Sequence, residues 1–123
     1  MTEVTLYKEE GGRLAGIQCN GHCNSKYING GADIVCTSVS VCMEMLEMGL
    51  RSSIPAEIAP TVKIEENAFA GYKKIMWSEA TGTAALGAAC ASMLKSISAV
   101  YPDNVSVKEF QLKKGANSND KEA

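Results

Sequence analysis

Apolar and polar positions alternate weakly over Thr2–Lys8, with Val4 and Leu6 on one face and Thr5 and Tyr7 on the other. The period of two predicts a strand. Glu9–Arg13 is polar and contains Gly11 and Gly12, a turn signal. Leu14–Asn20 reads as a second strand, so the two runs form a hairpin. Gly21 to Gly31 is dense in turn formers and reads as loop. From Asp33 the period changes: Val35, Val39, Cys42, Leu46 and Leu50 recur at spacings of four, three, four and four. That is one buried stripe of a helix, with Asp33 at or near its N-cap and Gly49 as its expected C-cap. Pro55 and Pro60 bracket a connection. Val62 and Ile64 mark a third strand, Glu65–Gly71 a hairpin loop, and Tyr72–Ser78 a fourth strand with Ile75 and Trp77 on one face. From Thr83 the pattern is helical again, with Leu86, Ala89, Met93, Ile97 and Val100 as its apolar side and Cys90 and Leu94 next to it. Pro102-Asp103-Asn104 ends it, and Val105–Leu112 is the last strand.

The order ββαββαβ predicts one α+β domain over residues 1–112, a mostly antiparallel sheet packed with two helices. A polar tail over 113–123 is expected to be disordered. Helices on one face would leave the other face of the sheet open, although β-strand residues on both faces are apolar. Ala15, Ile17 and Cys19 stand against Leu14 and Gly16. A homodimer that covers the open surface is the expectation.

Composition narrows the function classes. With 123 residues, 46% apolar and 21% charged, the chain can bury a core. No run approaches the length of a membrane span. A formal charge of −2 provides no global field that would gather nucleic acid. Lys73, Lys74, Lys95, Lys108, Lys113 and Lys114 are scattered, and most lack an interleaved aromatic; no direct nucleic-acid binding is expected. The start Met1-Thr2-Glu3-Val4 is neither basic nor apolar and the five cysteines are odd in number. These features lead to the expectation of a cytoplasmic protein with reduced thiols.

The candidate chemistry lies between residues 20 and 40. His22 is the single histidine, directly after Gly21 at a strand end. Cys36 follows fourteen residues on, in the first turn of the predicted helix, where unpaired N–H groups favour a thiolate. A thiol with an imidazole in reach is the minimal kit for acyl transfer through a thioester. The N–H groups around Val35–Ser38 are candidate oxyanion donors. By residue type alone, a packed cysteine and a surface histidine are the commoner outcome. Cys19, His22, Cys23, Cys36 and Cys42 are close in sequence, but no Cys-x-x-Cys pair exists, Cys19 and His22 fall on opposite strand faces, and Cys42 lies on the apolar stripe. Neither metal nor cofactor is expected. Met43, Met45 and Met48 face several directions of one helix and read mainly as packing, as does Trp77.

Gly21-His22-Cys23 followed by Gly31-Ala32-Asp33-Ile34-Val35-Cys36-Thr37-Ser38-Val39-Ser40 resembles the ribosomal-processing cysteine protease family known as Prp. The family pattern is Gly-His-Ala, a variable loop, then Gly-x-Asp-Ile-Val-Cys-Ala-Ala-Val-Ser. The resemblance implies a homodimeric cysteine endopeptidase that removes an N-terminal extension from a bacterial large-subunit ribosomal protein. Carried over by position, it implies Cys36 as nucleophile and His22 as general base and acid. Asp33 matches the motif's acid, with three roles open: capping the helix, orienting the loop or polarising His22. Ser40 is a supporting motif position, and Gly21 and Gly31 give the backbone its freedom.

Two departures stand out. Cys23 replaces Ala after the histidine, and Thr37-Ser38 replaces Ala-Ala after the nucleophile. Cys23 and Cys36 are a candidate disulfide under oxidation. The loop residues Cys23, Asn24, Ser25, Lys26, Tyr27, Ile28, Asn29 and Gly30 are expected to gate the site. The expected substrate is an extended apolar and aromatic peptide added along a strand edge. The competing readings are a non-catalytic module that binds the ribosomal protein or RNA, and a thiol redox sensor.

Overall fold

The computed structural model describes residues 1–113; the expected tail, from residue 114 onward, lies outside them. The described residues form β1 (Thr2–Lys8), β2 (Leu14–Asn20), β3 (Ile28–Asn29), β4 (Ala32–Asp33), α1 (Ile34–Ser53), β5 (Lys63–Asn67), β6 (Tyr72–Met76), α2 (Ala84–Val100) and β7 (Val105–Gln111), the expected ββαββαβ order with the short β3 and β4 added. The main sheet has the order β5-β6-β2-β1-β7. Its hairpins are antiparallel, with Leu6 opposite Ile17 and Ile17 opposite Ile75. β7 lies parallel to β1, because α2 carries the chain back across the sheet before the last strand begins. β3 and β4 are a two-residue ladder inside the segment read as loop.

Alternation in the strands aims Val4, Leu6, Ile17 and Ile75 at the helices, and the stripe of α1 meets them with Val35, Val39, Leu46 and Leu50. Each such side chain contributes roughly 1.5–3 kcal/mol on burial. The sequence-derived end of α1 is too early. The helix runs through Gly49 to Ser53, and Ile54 is extended (φ −108°, ψ 146°) because Pro55 follows it. Gly49 serves another purpose: a Cβ there would stand 2.4 Å from Leu86 Cδ2, so the Leu86 side chain packs onto its bare backbone.

The buried side of α2 is also rotated from expectation. Gly87, Cys90, Ala91, Leu94 and Ile97 face inward, while Met93 and Val100 are exposed. Small residues mark the contact, since Gly87 lies under the Trp77 ring. The third and fourth strands meet at a shorter turn than expected, because Glu65–Asn67 belong to β5. On the outer sheet face Tyr7, Ala15, Met76 and Leu112 form a second buried cluster, and the Lys74 ammonium stands 4.9 Å over the Tyr7 ring. Exposed large apolar side chains gather on the helices, at Ile34, Val41, Met45, Met48, Met93 and Val100, with Met1, Tyr27, Ile28 and Phe69 exposed outside them. No helix of the described residues is long and apolar enough to cross a membrane.

Candidate active site

β2 delivers His22 to the rim of the sheet through Gly21, whose φ of +95° few other residues adopt. The turn between β5 and β6 receives it. Gly21 N–H donates to the Gly71 carbonyl at 3.0 Å, and His22 Nε2 lies 2.9 Å from the Phe69 carbonyl oxygen. A carbonyl only accepts, so Nε2 carries the hydrogen and the neutral ring keeps its lone pair on Nδ1. Gly71 makes this contact possible. Its φ is +66°, and a Cβ there would meet the Gly21 carbonyl carbon and oxygen at 2.9 Å and His22 Cε1 at 3.1 Å. Nothing in the sequence pairs Phe69 or Gly71 with a histidine 47 residues away; only the closed sheet does.

Asp33 is the N-cap of α1 and Cys36 is its third residue. Asp33 Oδ1 accepts from Cys36 N–H at 3.0 Å and from the Ser25 hydroxyl at 2.7 Å, while Oδ2 accepts from Ser25 N–H at 2.7 Å. Cys36 N–H, then the Ser25 donors and Val35 N–H, hold the carboxyl below its ordinary range against the opposing effect of burial. Of the three roles left open, the contacts of Asp33 perform the first two: it caps the helix and clasps the loop. They also overturn the oxyanion expectation. Val35 and Cys36 N–H face Asp33 and Ile34 N–H donates to the Tyr27 carbonyl at 2.9 Å, so the first-turn donors are occupied.

His22 and Cys36 line one cavity of about 200 Å³. Among the described residues no hydrogen bond joins them. Cys19, Ser40 and Met43 share the cavity wall with Cys36, and Glu66, Ala68, Gly71 and Tyr72 close it from the β5–β6 side. At its edge Lys73 Nζ is 2.6 Å from both Glu44 Oε1 and Glu47 Oε1, and 3.9 Å from Glu66 Oε2. Burial pulls the Lys73 ammonium down, but the hydrogen bonds of Glu44 and Glu47 prevail and raise it. Lys73 in turn, with Arg51, lowers Glu47. This trio ties β6 to α1 under the cavity and went unnoticed in the sequence, where Lys73 reads as one scattered lysine.

The loop expected to gate the site is pinned at one end. Cys23 and Ser25 are buried, Asn104 Nδ2 donates to the Cys23 carbonyl at 3.3 Å, and the Tyr27 ring meets Tyr101 edge-on at 5.1 Å. Asn24, Ser25, Lys26, Tyr27, Ile28, Asn29, Gly30 and Gly31 are absent from the cavity lining. Thr37 and Ser38 also turn away from it and border a separate apolar depression with Val41, Met45 and Met93. The departure from Ala-Ala therefore leaves the polarity around Cys36 unchanged.

Burial divides the thiols. Cys19, Cys42 and Cys90 are buried and pushed up, Cys90 to about 12, so they remain neutral small hydrophobes. Cys23 is pushed up to about 11, chiefly by burial and further by the Cys36 thiol within electrostatic range of it. Cys36 alone is partly exposed.

A strand-end imidazole and a helix-start thiol on one cavity, in a two-helix α+β domain, are features of a cysteine peptidase. The family model described as cysteine protease Prp matches residues 1–106, and the chain belongs to that family. The chain is similar to the essential ribosomal processing protease Prp from S. aureus in complex with a covalently linked product peptide. Identity is 18%, coverage is 89% of this chain and 99% of that one, and the TM-score is 0.72. The same protease with a substrate peptide gives 16% identity, 89% and 99% coverage and a TM-score of 0.69. SMU.848 from Streptococcus mutans gives 25% identity, 90% and 95% coverage and a TM-score of 0.71. No curated protein matches.

Proposed function

We propose that this cysteine protease cleaves the N-terminal extension of a large-subunit ribosomal protein precursor in the cytoplasm, with Cys36 as nucleophile and His22 as its proton carrier. One observation carries the reading: both groups face one cavity, and the Phe69 carbonyl fixes Nε2–H so that Nδ1 is the free base. Cys36 Sγ gives its proton to Nδ1 and attacks the scissile carbonyl carbon. The C–N bond then breaks as His22 returns the proton to the leaving amine, and water resolves the thioester. Ser40, one helical turn beyond Cys36 on the same wall, supplies a hydroxyl for the developing oxyanion, since the first-turn N–H groups are taken.

An extended peptide fits beside β5, the free edge of the sheet next to the cavity. The S. aureus protein's substrate and product peptides support a peptide as ligand. Gating would require the loop tip, Lys26–Gly31, to leave the Tyr101 contact and close over a bound peptide, because Cys23 and Ser25 are anchored and no residue from Asn24 to Gly31 lines the cavity. A second copy would cover the exposed helix surface around Met45, Met48 and Met93. A monomeric mass by light scattering at micromolar concentration counts against that dimer.

The test is cleavage of the ribosomal precursor, read by product mass, for wild type, Cys36→Ala and His22→Ala. Cleavage by wild type alone supports the assignment. Cleavage that survives Cys36→Ala overturns it.

A further inference from the structure

Cys23, just past β2, and Cys36, in the first turn of α1, back onto one core cluster and differ in exposure. Cys36 is partly open to the cavity, while Cys23 is 2% exposed. Cys23 belongs to the core cluster against which Cys36 packs, Ser25, two residues beyond Cys23, shares the Asp33 carboxylate with Cys36 N–H, and the two thiols lie within electrostatic range of each other. Both backbones are fixed. Asp33 holds Cys36 N–H, and the Asn104 amide holds the Cys23 carbonyl. The Thr2 hydroxyl, 3.0 Å from Cys23 Sγ and 2.9 Å from the Gly21 carbonyl, holds the Cys23 side chain in place. Cys19, Cys42 and Cys90 are all buried; Cys19 lies among them and also within electrostatic range of Cys23, so it is the competing partner the test must distinguish. The mechanism gives Cys23 no task, and the family motif has Ala at this position.

We propose that Cys23 is the resolving thiol of a reversible oxidative block on Cys36, an inference that rests on Cys36 being the nucleophile. The oxidant is a peroxide. The Cys36 thiolate attacks one peroxide oxygen, the O–O bond breaks, hydroxide leaves, and Cys36 becomes a sulfenic acid. The Cys23 sulfur then attacks the Cys36 sulfur. The S–O bond breaks, the hydroxyl leaves as water with the Cys23 proton, and an S–S bond closes. Two thiols lose two electrons and hydrogen peroxide becomes two waters. A dithiol restores both thiols by exchange. Without Cys23 the sulfenic acid would be open to a second peroxide and to irreversible sulfinic acid. Because the Cys23 thiol is pushed up to about 11, ring closure should accelerate as pH rises through the alkaline range.

The experiment treats reduced full-length protein with hydrogen peroxide, traps free thiols by alkylation and maps the peptides without reduction. In wild type, Leu14–Lys26 should be joined to Tyr27–Arg51, with fragmentation assigning the bond to Cys23 and Cys36. Peptidase activity, scaled to each protein's own reduced value, should fall and return with dithiol. In Cys23→Ser and Cys23→Ala the join should be missing, dithiol should restore little, and sulfinic acid should collect on Cys36. Two replacements of different polarity guard against a folding defect in one. Sulfinic acid on wild-type Cys36 at the rate of the variants, or a join through Cys19, overturns the proposal. Reduced wild type that cuts no peptide would instead defeat the peptidase reading, since the mass map needs no activity.

Discussion

His22 Nε2 and the main-chain carbonyl oxygen of Phe69 stand 2.9 Å apart, so the imidazole is oriented by backbone rather than by a carboxylate. Gly71 keeps that turn tight against Gly21. Gly71→Ala must displace the turn or the ring, because the atoms its Cβ would meet at 2.9 Å are backbone. A misplacement near 1 Å costs on the order of 100-fold in rate. We expect kcat/KM for the precursor peptide to fall by about that factor, with most of the loss in kcat. The pH profile should shift as the ring loses its fixed acceptor. An unchanged profile with only a lower Tm would show that the turn is merely structural.

Asp33 makes an acid-side prediction. Its folded carboxyl lies below the ordinary value, principally through Cys36 N–H. The stabilisation is therefore complete above the unfolded value near ~3.9 and is lost as pH falls through the depressed folded value. Asp33→Ala should cost about 1–2 kcal/mol at neutral pH, the scale of a lost helix cap. Asp33→Asn keeps an acceptor and should cost less, with a flatter stability curve in acid. Urea unfolding across the acid range reads both. Equal acid slopes for wild type and Asp33→Asn would disprove the charged cap.

Much of this arrangement was legible from local signals. The α1 stripe, the Asp33 cap and the position of Cys36 follow from helical spacing and from capping chemistry, which act within one or two turns. The end of α1 was misread because Gly49 has two possible uses, and only the position of Leu86 shows that close packing is the operative one. The α2 face was misread for a related reason: Met93 is more apolar than Gly87, yet the tight contact with Trp77 selects the smaller residue. Phe69, Gly71 and the Lys73 trio were invisible because their partners are 26 to 50 residues distant and join only across the sheet and helix.

The Lys73 trio predicts coupling. Lys73→Met removes the charge that Glu44 and Glu47 share and leaves Glu44 beside a Glu47 that Arg51 alone still pairs. A fully buried pair would lose 3–5 kcal/mol, but Glu44 reaches solvent, so about 2 kcal/mol is expected. Glu47→Gln added to Lys73→Met should recover part of that loss, a coupling of about 1 kcal/mol in a double-mutant cycle. Lys73 is raised and Glu47 lowered. The lysine's share is present below its unfolded value and lost as pH rises through the raised folded one. The glutamate's share is present above its unfolded value and lost as pH falls through the lowered folded one. Across neutral pH the trio's contribution should be flat; strictly additive single and double variants would remove it from the account.

Two helical glycines should respond differently to the same substitution. Alanine is favoured over glycine inside a helix by ~1 kcal/mol, so each change begins with a gain. At Gly49 the new methyl would meet the far end of the half-buried Leu86 side chain, which can rotate aside. At Gly87 it would stand 2.6 Å from Trp77 Cζ2, and that ring is only 4% exposed and cannot turn without repacking the core. Overpacking of this kind costs typically ~1–3 kcal/mol. Gly87→Ala should therefore lower Tm by a net cost of about 1–2 kcal/mol, while Gly49→Ala stays near neutral. Thermal unfolding of the two variants side by side decides it. If Gly49→Ala proves the more damaging, the spacing of α2 is set by its contact with α1 rather than by the Trp77 ring.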